Sequence, residues 1–172
     1  MKTRVIVAVS DYWLVGAVST TGVRVQDVLK DGNTEFLRVD DVQVRSNLDR
    51  ESSLADLPEV VVPKCRIEFV AILESRHEAP TKRRNYYTAK DTSDVFLILG
   101  KYRIQGEFHL PSSSKDSLYA LTFVDTFIPV TQAGIHGVGP RLIVPVLFAN
   151  KEFLNGFHLG KPAPAETPSV TP

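Results

Sequence analysis

VIVAVSDYWLVGAV (5–18) and VFLILGKYRIQGEF (95–108) carry one pattern ninety residues apart, and that repetition decides the fold class. Laid over each other they set Tyr12 on Tyr102, Leu14 on Ile104 and Gly16 on Gly106. In each, an apolar strand runs into a polar pair and out through a second strand, the pattern of a β-hairpin. Val5, Val7 and Val9 interleave with Ile6 and Ala8, so the first strand is expected to be buried on both faces. Gly16 and Gly106 fall mid-strand, where glycine marks a bulge or sharp bend, and are read as structural positions.

The likeness extends outward. EFLRVDDVQV from Glu35 lies over TFIPVTQAGI from Thr126, with Phe36 on Phe127, Leu37 on Ile128 and Val39 on Val130, the spacing differing by one residue. Alternation through Phe36, Val39, Val42 and Val44 holds only with a slip of phase. A third block sets 67–75 (IEFVAILES) on 143–151 (IVPVLFANK), which gives Lys151 the counterpart Glu74-Ser75. On this register Arg45–Pro63 is a long polar loop, either mobile or functional. Val25, Val28 and Leu29, and then Leu118 and Leu121, stand at helical spacing and predict a short helical turn in each copy. The expected fold is all-β: two tandem small, strongly bent β-barrels with short helical turns. Their boundaries are 1–76 and 93–160, with a linker at 77–92 and a proline-rich tail at 161–172 read as disordered.

Twenty basic residues balance twenty acidic ones across 172 positions, so no general field draws the chain to nucleic acid or an anionic membrane. No apolar run approaches the roughly 20 residues of a membrane helix, and no membrane partner is expected. MKTRVIVAVSDYW resembles a secretory leader on its surface, yet the run ends at Asp11 with no small-residue cleavage site and reads as a strand. The lone Cys65 makes neither an internal disulfide nor a thiolate zinc site, which fits a cytoplasmic location.

Catalytic and metal signatures are weak. His77, His109, His136 and His158 lack metal-ligand spacing, and no metal or cofactor is expected. GIHGVGP (134–140) has the glycines to cradle a phosphate but leads into no helix, so a hairpin loop is the better reading. Asp40-Asp41 reads as a turn, Ser112–Ser114 as a polar hairpin tip, and Cys65 between Lys64 and Arg66 as structural. The chain is therefore read as not an enzyme. The strongest local signal is KRRNYYTAK (82–90): Lys82, Arg83 and Arg84 suit phosphates and Tyr86 and Tyr87 suit stacked bases. Its acidic flanks favour a solvated linker instead.

In copy two, LILGKYRIQGEF, FIPVTQAGI and RLIVPVLFANKEFLNGF together resemble the Sm-like barrel, the family of the bacterial RNA chaperone. Gly106 fits that family's bent second strand and Asn150-Lys151 its short closing connection. The resemblance implies edge-to-edge assembly and makes Lys151 a candidate base-contacting lysine; the family's Asp/Asn constellation is matched only loosely by Lys115, Asp116 and Ser117. The expected function is a non-enzymatic scaffold acting through strand edges and loops, with a protein partner or itself. The alternatives are an RNA- or DNA-binding module using Lys82, Arg83, Arg84, Tyr86, Tyr87 and Lys151, and a PilZ-like cyclic-nucleotide receptor whose Asp-x-Ser-x-x-Gly motif is not found.

Overall fold

The computed structural model describes residues 1–74, 91–110, 116–122 and 124–164. The first hairpin is β1 (Lys2–Val9) and β2 (Tyr12–Ser19); after α1 (Val25–Lys30) come β3 (Phe36–Ser46), β4 (Ser53–Pro63) and β5 (Phe69–Ile72). The second run is β6 (Asp91–Leu99), β7 (Tyr102–Leu110), α2 (Ser117–Thr122), β8 (Phe127–His136), β9 (Leu142–Asn150) and β10 (Leu154–Leu159). One 3-10 turn, Lys64–Arg66, joins β4 to β5, and another, Lys151–Phe153, joins β9 to β10.

All ten strands form one antiparallel sheet in the order β10-β6-β7-β8-β9-β5-β1-β2-β3-β4. The all-β expectation holds; closure does not. Each half has its fifth strand beside its first, followed by the second, third and fourth. The outer edge of β5 is satisfied by β9, through Phe69↔Ala149, Val70↔Phe148, Ala71↔Leu147 and Ile72↔Val146, so among the described residues the sheet stays open at β4 and β10.

Two apolar cores lie on opposite faces of the shared central strands. One gathers Ile6, Ala8, Phe69, Ala71, Leu147 and Ala149 with most of the second half. The other gathers Val5, Val7, Val70, Ile72 and Phe148 with most of the first half. That is why β1 is apolar on both sides: alternate side chains enter different cores.

The mid-strand glycines share one geometry. A β-carbon on Gly16 would stand 2.6 Å from the Asp40 carbonyl oxygen, and one on Gly106 would stand 2.6 Å from Val130 Cγ1 and 2.7 Å from the Thr131 carbonyl oxygen. Beside each glycine the third strand bulges, at Asp41 (φ 52°) and Gln132 (φ 49°), with register shifts between Val15/Ala17 and Gln105/Glu107. The bulge explains the phase slip: Leu37 and Val39 before it and Val42 after it are all buried. Asp40 and Asp41 are thus strand residues at a bulge and not a turn.

Two further expectations change. Arg45–Pro63 is not a loop: it holds the end of β3, a short turn and the eleven-residue strand β4. The signal was Val60-Val61-Val62, a β-branched run masked by Pro58 and by the charges of an edge strand. Consequently β9 corresponds to β4 and β10 to β5, and the place of Lys151 belongs to Lys64 instead of Ser75.

Gly16→Ala and Gly106→Ala should each lower stability by about 1–3 kcal/mol, the usual cost of overpacking, read as a lower urea midpoint. Gly32→Ala, with nothing within 4 Å of its added carbon, should leave the midpoint unchanged.

Candidate functional site

The junction of the halves is built on aromatic rings. Trp13 from β2, Phe69 from β5 and Tyr102 from β7 are fully buried, and Phe69 meets both other rings edge-on at centroid distances of 5.8 and 5.1 Å. Trp13 Nε1 donates to the Tyr102 hydroxyl at 3.0 Å, so the polar atoms of both rings satisfy each other inside the core. Arg50, in the β3–β4 turn, lies 3.7 Å from the centroid of Trp13 and donates to the carbonyls of Pro140 (2.5 Å) and Val138. Outside this stack Lys101 pairs with Asp11 at 2.6 Å.

Several buried groups in this region lack a full set of partners, Arg45 Nε, Asn47 Nδ2 and Glu68 Oε2 among them. Glu68, just before β5, is nearly buried and its Oε2 has no hydrogen-bond partner. Burial pushes its carboxyl up; Lys101 opposes the rise and Asp11 adds to it.

Lys151 closes the end of α2. Its ammonium donates to the carbonyls of Leu121 (2.7 Å) and Val124, at the C-terminal end of α2. Lys64 does the same at α1, donating to the carbonyls of Val28 and Asp31, both at 2.8 Å. Both lysines thus close helix ends where carbonyls lack intrahelical partners. They also line a cleft of about 630 Å³ with Lys30, Cys65 and Asp125, where Lys30 pairs with Asp125 at 2.6 Å. The cations of this cleft are therefore engaged, and Cys65 is exposed on a 3-10 turn and not buried in a strand. Lys82, Arg83, Arg84, Tyr86 and Tyr87 lie outside the described residues, as do His77 and Ser112–Ser114. Among the described residues no three His, Cys, Asp or Glu side chains gather as a metal site, and no helix is long and apolar enough to cross a membrane.

What sequence reasoning missed is the character of the two open edges. Along β4 the large side chains Leu54, Leu57 and Val61 stand exposed, Val61 at 56%. Beside it runs an apolar groove of about 280 Å³ lined by Val9, Tyr12, Leu14, Val44, Val60 and Val62. The positions matching these in the second half, by place in the hairpin and by cross-strand partner, are Leu99, Tyr102, Ile104, Ile135, Leu147 and Ala149. All six are in the junction core, covered by Ile6, Ala8, Trp13, Phe69 and Ala71. The first-half groove is therefore the open counterpart of a groove that the chain fills internally.

No protein-family model, curated protein or solved structure matches this chain.

Glu68→Gln should stabilise the protein near neutral pH. A raised carboxyl pKa means the folded state holds the proton longer, so its contribution is complete below the ordinary value of about 4.5 and is lost as pH rises through the raised one. Melting curves across that range should be flatter for the variant. Lys64→Met and Lys151→Met should each cost about 1.5–3 kcal/mol, the value of hydrogen bonds from a charged group, read as a fall in melting temperature.

Proposed function

We propose that the protein is a non-enzymatic interaction module that associates with copies of itself, the β10 edge of one chain adding to the β4 edge of the next. The observation that supports this reading is the internal β5·β9 junction, whose two strand edges have counterparts, β10 and β4, that are unpaired among the described residues at the ends of the sheet. An open edge presents unpaired backbone donors and acceptors, and strand addition satisfies them.

Transferring the internal register sets Gly156 opposite Val62, Phe157 opposite Val61, His158 opposite Val60 and Leu159 opposite Glu59. Phe96 and Ile98 then take the places of Ile6 and Ala8 over the open groove, and Arg103 takes that of Trp13 beside Tyr12. Charge supports the same pairing. Residues 51–63 hold Glu51, Asp56 and Glu59 and no cation, whereas 153–161 hold His158 and Lys161 and no acid. On the same register Lys101 of one chain would face Asp11 of the next, the residues that pair with each other within a chain. Such contacts are heterologous, so they generate rings or filaments. Internal duplication of an Sm-like unit accounts for the matched strand orders and the matched bulges.

Light scattering on eluted protein should show an oligomer whose mass rises with concentration. Val61→Lys places a charge on the edge and should return the chain to a monomer with an unchanged circular dichroism spectrum. A wild-type chain that remains a monomer at all concentrations overturns the reading. Nucleic acid that co-elutes and is removed by salt would favour the nucleic-acid alternative instead.

A further inference from the structure

Three nitrogen-rich side chains meet on the outer face of the second half. Arg103 stands near the start of β7, His136 is its cross-strand partner at the end of β8, and Arg141 immediately precedes β9. Gly134 lies among them with no side chain of its own. His136 Nε2 stands 3.3 Å, and Arg141 Nη2 and Nε 3.6 and 3.7 Å, from where its β-carbon would be. Among the described residues neither arginine has an ion pair, and His136 Nε2 is buried without a hydrogen-bond partner. Two carboxylates, Asp94 and Glu107, share this face and line one cleft with Gly134 and Arg141. Glu107 is four residues along β7 from Arg103, roughly 13 Å at the rise of a strand, and Asp94 lies 4.0 Å from Lys161.

We propose that Arg103, Gly134, His136 and Arg141 form a binding site for a phosphoryl oxyanion, a free phosphate or a phosphate monoester. Guanidinium groups present paired N–H donors that match a tetrahedral oxyanion, and a bare glycine lets the anion approach the backbone. The loop carrying Arg141 is held in place, because Arg50 binds the carbonyls of Val138 and Pro140 just before it. Positive φ at Gly137 (101°) and Gly139 (65°) gives that loop a path closed to most other residues. Burial and then the two arginines hold the His136 imidazole below its usual pKa, and an anion beside it should reverse the effect of the arginines.

The test is a titration with sodium phosphate, followed by NMR at the Gly134 amide and the His136 ring, at constant ionic strength set with chloride. It is run on the wild type and on Val61→Lys, so that it reads the site whether or not the chains associate. Saturable shifts with a rise in the His136 pKa are expected, weakened about tenfold or more by Arg141→Ala and by Arg103→Ala and left intact by Arg66→Ala. Adenosine monophosphate distinguishes the sources: tighter binding than phosphate points to a monoester, equal or weaker binding to the free ion. Absence of saturation by phosphate, or equal shifts with chloride alone, overturns the proposal. So does retained affinity in both arginine variants when their spectra show the wild-type fold.

Discussion

The hydrogen bond from Trp13 to Tyr102, inside a stack completed by Phe69, is the contact on which the arrangement of this protein depends. It ties the second strand of one half to the second strand of the other through a core that water does not enter. A lone indole N–H or phenol buried there would cost about 1–3 kcal/mol, and together they remove each other's penalty. With that stack in place β5 can lie against β9, the sheet becomes continuous, and the central strands feed two cores at once.

Bending follows from a second constraint, the close approach of backbone to backbone at Gly16 and Gly106. Each glycine admits a carbonyl from a bulged neighbour, and each bulge turns the third strand so that its apolar residues change phase without leaving the core. The same local device in both halves gives them the same strand order, and the same helix-closing lysine fixes each short helix. Because the halves repeat these devices, each strand of the internal junction has a counterpart at an outer edge of the sheet.

The hairpins, the short helices and both structural glycines were legible in the sequence, since strand alternation and mid-strand glycine are local signals. The β4 strand was not. Its exposed, charged first part and Pro58 look like a loop by composition, and only its pairing with β3 makes it a strand. With β4 taken for a loop, the third block slips and Lys151 takes the wrong counterpart. Closure was illegible for a different reason: whether β5 meets its own β4 or the neighbouring β9 is a competition between two edges that no single strand encodes. The Arg50 contacts were equally hidden, spanning 88 and 90 residues to Val138 and Pro140.

At the inner junction the covering positions hold Trp13 and Phe69; at the outer edge their counterparts are Arg103 and Gly156. A lone subunit that met its twin would need one surface to serve both contacts, so any change in it would be felt twice. A chain that carries both members of a contact escapes that symmetry. Its inner seam is aromatic and dry, while the matching outer positions hold a cation and a bare glycine, which offer far less apolar area to anything laid against them.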